Sequence, residues 1–435
     1  MILLLLQVAA TPVATSAPAA SAAPADTVPV VTLAEALDRG LRLNPDYVQA
    51  LGSVGEANWA RTAARVAFLV PAINVSLDYT KYSEAFFNIG TFDQSSTSST
   101  FSLDARYVLN VRKFAEIGRT TAELEAATST EVQRRYAAAL LIESAYYGVL
   151  ADQELVRVAR ERVIRAEEQL GVSRARVSSG AAVQSDSLTF RLEMVRAQVD
   201  LLRRESALRL SRLELGRRIG SDGPAGAVPL DTLPPPELPI SLGQAIGQAL
   251  EQGPEYRTAR ARVRSAEAEL KARRGDYLPT ITITGAHQRF DVRPFPSASN
   301  VSSLTFTASL PIWNNGQREA DIRQARTQRD VARAFRSDLE RSALREVTAA
   351  YDGHETARAE VGLASDARTV ARENYRVQDA RYRAGASDVV DLLVAQNALS
   401  DAEAALVSSR YAVRLAKARL EAILGTRLNT QGGGQ

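Results

Sequence analysis

The strongest constraint on this 435-residue sequence is that its landmarks occur twice in the same order. The repeated landmarks are residues 32–37 and 241–246, residues 70–75 and 278–283, and residues 177–180 and 382–385. The members of each pair lie about 205–209 residues apart, so the two halves of the chain are collinear. Two collinear copies in one chain are typical of a single symmetric architecture rather than of two unrelated domains.

Proline is absent from two very long stretches of the sequence. None occurs between Pro71 and Pro224, and none occurs after Pro311. Because an interior proline costs a helix about 3 kcal/mol, these stretches permit unbroken helices, and they are rich in the helix formers Ala, Arg, Glu and Leu. Apolar and small residues at spacings of three, four and seven predict one helix over 111–178 and another over 317–383. At about 1.5 Å per residue, each helix would be roughly 100 Å long.

Helices of that length need partners of similar length, and the sequence supplies them in both halves. The expected partners are residues 45–69 and 186–219 in the first half and residues 254–277 and 391–424 in the second. Gly220 and Gly425 follow the returning helices, as is typical of helix C-termini. The pattern predicts long antiparallel helical hairpins. By themselves, the helices are equally consistent with an elongated soluble coiled coil.

Alternating apolar and polar residues predict one pair of strands in each half. The expected strands are residues 72–83, 99–110, 280–292 and 301–312, and their connections around residues 95–100 and 294–302 are predicted to be loops rich in Ser, Thr, Pro and Asn. Each alternating segment is about ten residues long, the length that a tilted strand needs to cross a bilayer. The simpler alternative is two soluble hairpins with one buried face, but a lone two-stranded hairpin is only marginally stable. Since four strands cannot close a barrel, strands that span a bilayer must be pooled by several chains, and three chains would supply twelve.

Aromatic residues near the ends of these strands predict an interfacial belt. Trp313, with Tyr107 and Tyr79, is of the type that lines the edges of membrane barrels. The first half lacks a counterpart of Pro311. We therefore expect the bend from strand to long helix to differ between the two halves.

Two motifs, together with the order of elements and the duplication, carry a resemblance to known proteins. Residues 310–316 (LPIWNNG) and 385–393 (GASDVVDLL) resemble motifs of the TolC family of outer-membrane efflux and secretion channels. The resemblance extends over residues 31–425. It implies a mainly α fold with a β-barrel: a homotrimer with a twelve-stranded barrel in the outer membrane and helical hairpins that form a tunnel across the periplasm. It also implies a passive duct that docks with a periplasmic adaptor and an inner-membrane pump of the RND or ABC type.

On this basis the chain divides into two structural repeats, residues 28–220 and 241–425. Residues 221–240 contain six prolines, cannot continue a helix, and are predicted to form an extended strap between the repeats. Residues 1–27 are predicted to be a signal peptide or a disordered N-terminus. Residues 426–435 are predicted to be a disordered tail.

Composition excludes several other classes of function. The chain has no Cys, which excludes disulfides and thiolate metal sites. Its formal net charge of +3 is too balanced to indicate nucleic-acid binding, and its mean hydropathy of −0.16 argues against a helical membrane protein. The two histidines, His287 and His354, lie too far apart in the sequence for a short metal-binding motif. We therefore expect no enzyme activity, metal or cofactor.

The residues with the clearest chemical roles are expected at the tips of the two helical hairpins. Gly180 and Gly385 permit the turns, and Asp186 and Asp391 follow within the first turns of the returning helices. A carboxylate there can simply pair with the helix N-terminus, but one that faces a threefold tunnel forms a ring of three that favours cations. The expected adaptor-docking residues at the tips are Gly180, Ala181, Val183, Gly385, Ala386 and Val389.

The family resemblance implies further roles at these tips. It places Asp391 in an aspartate ring that narrows the periplasmic entrance. It also places Asp186 and Tyr382 in a hydrogen-bonded contact between neighbouring hairpins that closes the entrance. Together with Ser185 and Ser387, these three residues are the expected gate and selectivity ring.

The chain departs from the family pattern at two positions. Val394 stands where the resemblance calls for a second aspartate, and Ser387 stands where it calls for an arginine that locks the closed state. Ser185 is thereby left without that arginine as its partner. We expect one carboxylate ring fewer and a gate that opens more easily.

One alternative from a different class stays open at this point. A soluble periplasmic coiled-coil scaffold or adaptor would also contain long helices, with the strands forming a small capping domain. Adaptors typically need one long hairpin and separate β-domains, whereas this sequence has two copies with strands of bilayer length, which favours the channel. The exported substrate, which could be drugs, metal ions or secreted proteins, is not readable from the sequence.

Overall fold

The computed structural model describes residues 28–88, 93–229, 237–291 and 299–428. Its helices are α1 (Leu33–Leu43), α2 (Pro45–Leu69), α3 (Val111–Ser178), α4 (Gln184–Ile219), α5 (Leu242–Gln252), α6 (Pro254–Arg274), α7 (Gln317–Arg383) and α8 (Val389–Leu424). Its strands are β1 (Val30–Val31), β2 (Ala72–Asn88), β3 (Asp93–Leu109), β4 (Gly226–Ala227), β5 (Thr280–Asp291) and β6 (Ser299–Ser309). The predicted signal peptide, residues 230–236 of the strap and residues 429–435 of the tail lie outside the described residues.

Two helices of unusual length, α3 with 68 residues and α7 with 67, dominate the molecule. α3 begins directly after Asn110, whose side chain accepts a hydrogen bond from the N–H of Lys113 at 3.0 Å. α7 instead follows residues 310–316, which end in Asn315 and Gly316, both with positive φ. The connection from strand to long helix therefore differs between the two halves. Among the described helices, none has a stretch both long and apolar enough to cross a membrane.

The returning helices begin two residues earlier than predicted. α4 begins at Gln184 and α8 at Val389. In α8 the cap is Asp388, whose side chain accepts a hydrogen bond from the N–H of Asp391 at 2.9 Å. Asp186 and Asp391 thus lie inside the first helical turn, where a negative charge is favourable.

α3 is the central helix of the chain. It packs against α2 and α4 of its own half and against α6 and α8 of the other half. α7 packs mainly against α5, α6 and α8 of its own half, and its C-terminal turns also contact α3 and α4 of the first half. Two buried clusters hold the short helices α1 and α5 against the bundle, one around Ile142 and Leu215 and the other around Val347 and Leu420. Ile142 and Val347 are 205 positions apart, as are Leu215 and Leu420, so the same core occurs in both halves.

Four strands form one antiparallel sheet in the order β2-β3-β5-β6. The register aligns Val75 with Leu103, Leu103 with His287, and His287 with Ser302. Because side chains alternate along each strand, this register collects most of the apolar side chains on one face and polar ones on the other. Among the described residues, β2 and β6 each have one edge without a partner strand.

β2 and β3 are longer than predicted. Each has 17 residues and extends beyond the expected bounds of 72–83 and 99–110. The Ser/Thr-rich residues 95–100, predicted to be a loop, lie inside β3, where Thr97 pairs with Lys81. That loop prediction is wrong because the ladder uses backbone groups, which polar side chains do not prevent from pairing.

The last strand is shifted towards the N-terminus relative to its predicted bounds of 301–312. β6 begins at Ser299, inside a predicted loop, and ends at Ser309. Pro311 follows closely, and because proline has no N–H to donate, the ladder cannot continue through it. β5 ends at Asp291, one residue before its predicted end.

The described part of the strap is held against the bundle. β4 pairs in parallel with β1, which ties the strap to the start of the chain. The hydroxyl of Tyr146 in α3 donates to the carbonyl oxygen of Val228 at 2.9 Å. The strap therefore lies across the middle of the first half, beside the cluster around Ile142.

The C-terminal residues 426–428 are ordered, so the predicted disorder of the tail is wrong for this part. Leu428 is 5% exposed, and its N–H donates to Glu421 at 2.9 Å. Arg427 donates to Glu143 of α3 at 2.7 Å and to Glu421 at 2.9 Å. This segment is therefore fixed by the burial of Leu428 and by the bonds of Arg427 to two buried carboxylates, which require a cation.

Candidate functional site at the hairpin tips

The two helical hairpins end in turns with the same backbone geometry. Gly180 has a φ of 76° and Gly385 a φ of 78°. In each turn, the N–H of the residue after the glycine donates to the carbonyl oxygen five residues earlier, at 2.8 Å. This bonding closes a helix C-terminus through a left-handed residue, which is why glycine is required there. Ala181, Val183 and Ala386 are exposed at these turns, as the docking prediction requires.

Val389 does not lie on the exposed surface of the tip. It is 7% exposed and packs in a buried cluster with Tyr382 and Leu392. As the first residue of α8, it faces the other helices, whereas the adjacent Val390 is 64% exposed. The prediction that Val389 contributes to a docking surface is therefore wrong for this chain.

Tyr382 is buried between the two hairpins. It is 1% exposed, and its ring lies 5.4 Å from the ring of Phe190 in α4, in an edge-on arrangement. Its hydroxyl has no hydrogen-bond partner in the described part of the chain. The structure thus brings Tyr382 to α4 one turn beyond Asp186, without the predicted hydrogen bond between the two side chains. The pairing of Asp186 with Tyr382 stays a prediction about another state or assembly.

Asp391 is exposed at the start of α8 and is supported by its own hairpin. The hydroxyl of Ser387 lies 3.1 Å from Asp391 Oδ2 and 3.2 Å from Gln378 Oε1. Val394, on the same face of α8, is 62% exposed. Ser185 is exposed on the other tip. The carboxylate of Asp391 is therefore accessible to solvent, and the next exposed side chain on this face of α8 is apolar rather than acidic.

An arginine that the sequence analysis did not single out connects the two tips. Nη2 of Arg176 donates to the carbonyl oxygen of Ala181 in its own turn, at 3.2 Å. Nη1 of the same residue donates to the carbonyl oxygen of Tyr382 in the other hairpin. Its guanidinium carbon also lies 4.6 Å from the centroid of the Tyr382 ring. Arg176 thus makes a charge-assisted contact across the hairpins and a cation–π contact with the same partner.

Farther from the tips, other polar side chains of α3 also bond across the seam, the interface between the two hairpins. Arg162 pairs with Glu193 of α4 and donates to Asn397 of α8 at 3.0 Å. Arg165 donates to Glu403 of α8 at 3.1 Å. Both carboxylates are nearly buried, so each requires its arginine.

The two histidines have local partners. His354 is 1% exposed in α7, and its Nδ1 lies 3.2 Å from Glu355 Oε1. His287 in β5 lies 2.9 Å from the hydroxyl of Ser302 across the β5–β6 pair. Over residues 28–88, 93–229, 237–291 and 299–428, no cluster of three or more His, Cys, Asp or Glu side chains could hold a metal ion.

The three residues of the predicted aromatic belt lie in different environments. Trp313 is 74% exposed and Tyr79 is 59% exposed. Tyr107 is half-buried: its hydroxyl donates to the carbonyl oxygen of Phe68 at 2.8 Å, and Lys113 Nζ lies 4.1 Å from its ring centroid. Tyr107 therefore fixes the junction of α2, β3 and α3, which its sequence position did not reveal.

The apolar face of the sheet is exposed in the single chain. Val75 is 60% exposed, Leu77 62%, Leu304 65% and Phe306 68%. A surface of this kind on a folded chain indicates contact with lipid or with another protein.

Comparison with known proteins identifies the family. The family model for outer membrane efflux proteins matches residues 36–221 and 245–426, once in each half of the chain. The chain belongs to the outer membrane efflux protein family. This confirms the family predicted from the sequence and sets aside the soluble scaffold. The family consists of channel proteins rather than enzymes.

Curated relatives in this family include efflux and secretion proteins. The chain is 25% identical to the probable efflux pump outer membrane protein TtgC of Pseudomonas putida, over 70% of this chain and 64% of TtgC. It is 26% identical to outer membrane protein OprJ of Pseudomonas aeruginosa, over 62% of this chain and 57% of OprJ. It is 24% identical to the alkaline protease secretion protein AprF of P. aeruginosa, over 77% of this chain and 70% of AprF. The chain thus aligns with less than two thirds of TtgC and OprJ.

Solved structures of outer membrane channels share the fold. The CmeC outer membrane channel of Campylobacter jejuni superimposes with a TM-score of 0.77 at 15% identity, covering 92% of this chain and 87% of CmeC. The outer membrane protein VceC of Vibrio cholerae does so with a TM-score of 0.77 at 16% identity, covering 91% of this chain and 97% of VceC. At such low identity the similarity establishes the fold, in which helical hairpins continue from a four-stranded sheet.

Proposed function

We propose that three copies of this outer membrane efflux protein form a passive duct across the outer membrane and the periplasm. The observation that carries the proposal is the open four-stranded sheet, apolar and exposed on one face and continuous with two long helical hairpins. Because backbone groups at an open edge cannot be left unpaired in lipid, β2 and β6 need strands from other copies. Three sheets joined in this way supply the twelve strands of a closed barrel.

Two helices also carry apolar stripes that are exposed in the described part of the chain. On α4 the exposed residues recur at alternating spacings of four and three: Leu188, Leu192, Val195, Val199 and Leu202. On α7 they recur every seven residues: Leu363, Val370 and Val377. Both stripes begin within about two turns of the hairpin tip and extend about five turns from it. They have the periodicity of coiled-coil seams.

A ring explains why these two stripes occur on different helices. If α4 of one copy packs against α7 of the next, each copy uses two different surfaces, and the contacts close when the ring is complete. A twofold dimer would instead bury the same stripe twice. The proposed trimer is therefore a head-to-tail ring, with hairpins of neighbouring copies alternating around a tunnel.

The proposed duct works with a periplasmic adaptor and an energy-coupled pump of the RND or ABC type in the inner membrane. Exposed residues of the tips, the parts of the chain farthest from the sheet, would meet the adaptor. The relatives named for efflux and for protease secretion leave both tripartite efflux and type I secretion as roles, and both use the same passive duct. The cargo would be selected mainly by the pump.

At the periplasmic end, three copies of Asp391 would form a carboxylate ring that favours cations. Val394 supplies no second ring, so block by di- and trivalent cations should be weaker than with two rings. In a more tightly closed state, Asp186 would accept a hydrogen bond from the unpartnered hydroxyl of Tyr382. Ser387 bonds within its own hairpin, so neither it nor Ser185 adds a lock.

The mass of the native particle tests the proposal. The protein is extracted from outer membranes in detergent, and its mass is measured by light scattering corrected for bound detergent. Three chains in a particle that precipitates when the detergent is removed would support the duct. A monomer or dimer that stays soluble without detergent would overturn it, because the strands would then never meet lipid.

A further inference from the structure

The two halves of the chain carry equivalent arginines that differ in a single contact. Arg176 and Arg381 lie 205 positions apart, each four residues before the glycine of its turn. Nη2 of Arg176 donates to Ala181 at 3.2 Å, and Nη2 of Arg381 donates to Ala386 at 3.3 Å. In both cases the arginine closes its own turn. Only Arg176 has a contact in the described structure that also reaches the other hairpin.

Beneath Arg176, the seam between the hairpins contains polar atoms without partners. Gln169 Oε1, Ser173 Oγ and the hydroxyl of Tyr382 are buried and make no hydrogen bond in the described part of the chain. Gln169, Ser173 and Arg176 follow one another at spacings of four and three, so they lie on one face of α3. Burial of an unpartnered polar group is unfavourable. Their burial therefore lowers the free-energy difference between the packed tips, which the apolar cluster around Tyr382 stabilises, and a state in which the tips separate and water reaches these groups.

Other contacts close to the tip do not hold the two hairpins together in the same way. Ser387 bonds with Asp391 and Gln378 of its own hairpin. Gln169 Nε2 donates to Tyr375 and Asp379 of α7, but about two turns farther from the tip. Among the described residues, Arg176 is thus the one whose side chain joins the last turn of α7 to the first hairpin through a charge-assisted hydrogen bond.

We propose that Arg176 is the positioning residue that holds the tip of the second hairpin against the first and so sets how far the periplasmic end of the duct is closed. Its guanidinium bonds the backbone carbonyl of Tyr382 and covers the ring of the same residue, so it fixes both the chain and the side chain at that point. Loss of Arg176 should let the tips separate and expose the unpartnered groups beneath it. The predicted change in conductance rests on the proposed channel function, whereas the predicted separation of the tips does not.

The first test is independent of conductance. Because the chain has no Cys, Ser173→Cys introduces a single thiol at a site that is 0% exposed. Labelling of this thiol by a water-soluble maleimide in native membranes should be slow in the otherwise unchanged protein. Combined with Arg176→Ala, it should become faster by about fivefold or more, as expected for loss of one hydrogen bond to a charged group. Combined with Arg381→Ala, which removes only the bond within one turn, it should change by less than about twofold.

The second test is single-channel recording in planar bilayers. Arg176→Ala should raise the open probability or the conductance, whereas Arg381→Ala should leave both close to those of the parent. The mass of each variant in detergent establishes that it assembles like the parent. Where Arg176→Ala fails to assemble, Arg176→Lys, which keeps the charge but loses the forked geometry, provides a milder variant with an intermediate effect.

The outcomes separate the two proposals. Equal labelling and equal conductance of the Arg176 and Arg381 variants would overturn the role of Arg176, since a purely structural contribution to the turns would affect both alike. Faster labelling of the Arg176→Ala protein, with no channels from the parent, would support the contact but overturn the duct. Slow labelling in all variants, together with parent-like channels, would leave the duct standing and refute the role of Arg176.

Discussion

The two halves of this chain share one backbone plan but use their long helices differently. α3 is enclosed, with partners from both halves on its sides, whereas α7 packs mainly within its own half and contacts the first half through its C-terminal turns. On α7, Leu363 and Val370 are each 69% exposed, whereas of their equivalents on α3, Val158 is 7% exposed and Arg165 donates to Glu403 of α8. Duplication therefore gave the two halves the same shape, whereas side-chain differences placed α3 in the interior of the chain and α7 at its surface.

The largest expected effect concerns the exposed stripe of α7. Val370→Glu should prevent assembly, because it places a charge at each proposed contact between copies, where it would be buried without a partner. Light scattering in detergent should then give the mass of one chain. Ser365→Glu introduces the same charge at an exposed position on a different face of α7, and it should leave the trimer intact. Trimers from both variants would show that the stripe is not a subunit contact.

The next largest effect concerns Arg427, the arginine near the C-terminus that joins the two halves. Arg427→Ala leaves Glu143 and Glu421 buried without that cation, which breaks a buried charge cluster. Because the Arg427 side chain is 41% exposed, we expect a loss of about 2 kcal/mol rather than the larger values of fully buried pairs. Arg217→Ala, which removes an exposed pair with Glu214, should leave the unfolding midpoint close to that of the parent. Thermal unfolding of the two variants measures the difference, and equal midpoints would contradict it.

The same substitution should make stability depend more strongly on pH. Burial raises the pKa of the Glu143 carboxyl, and Arg427 opposes that shift. A raised pKa means that the folded state binds the proton more tightly than the unfolded state, so stability falls as pH rises through that pKa. Without Arg427 the pKa of Glu143 should rise further, and the loss of stability should be larger at pH 8 than at pH 5. A loss that is the same at both pH values would show that Glu143 is not the group concerned.

Substitution of the two tip glycines should cause a smaller loss of stability, equal in the two halves. Gly180→Ala and Gly385→Ala each force a side chain into left-handed backbone, at a cost of about 1 kcal/mol. Because the two turns have the same φ and the same hydrogen bonds, the losses in thermal stability should agree. A clear inequality would mean that the tips are not equivalent in the assembled protein, for example because one of them is covered.

The smallest effect concerns two tyrosines at equivalent positions that hold the strap. Tyr146 donates to Val228 at 2.9 Å and is fully buried, whereas Tyr351 donates to Ile240 at 3.3 Å and is only partly buried. Tyr146→Phe should cost about 1 kcal/mol and Tyr351→Phe about half of that. Thermal unfolding midpoints in the reverse order would show that the strap is fixed mainly in the second half.

The spacing of apolar residues and the positions of proline and capping residues predicted the helices of this fold well, because these signals act locally. They predicted the strands less well: the polar residues 95–100 belong to β3 because of their pairing with β2, which no local pattern records. They also missed Arg176, since a bond to the carbonyl oxygen of Tyr382 depends on how two hairpins pack. A single chain likewise leaves Asp186 and Tyr382 unpaired, and their predicted contact awaits a structure of the assembly. Local chemistry was thus readable from the sequence, and contacts between distant segments were not.

Chemical cross-linking tests the central claim, that three chains form a head-to-tail ring, most directly. The chain has no Cys, so Leu192→Cys on α4 and Val370→Cys on α7 give thiols at defined positions. In native membranes treated with a short bismaleimide, the double variant should yield covalent dimers and trimers and nothing larger on a denaturing gel. Each single variant should stay monomeric, because the ring never brings two identical stripes together. Dimers from either single variant, or a ladder that continues beyond three chains, would contradict the ring and with it the proposed duct.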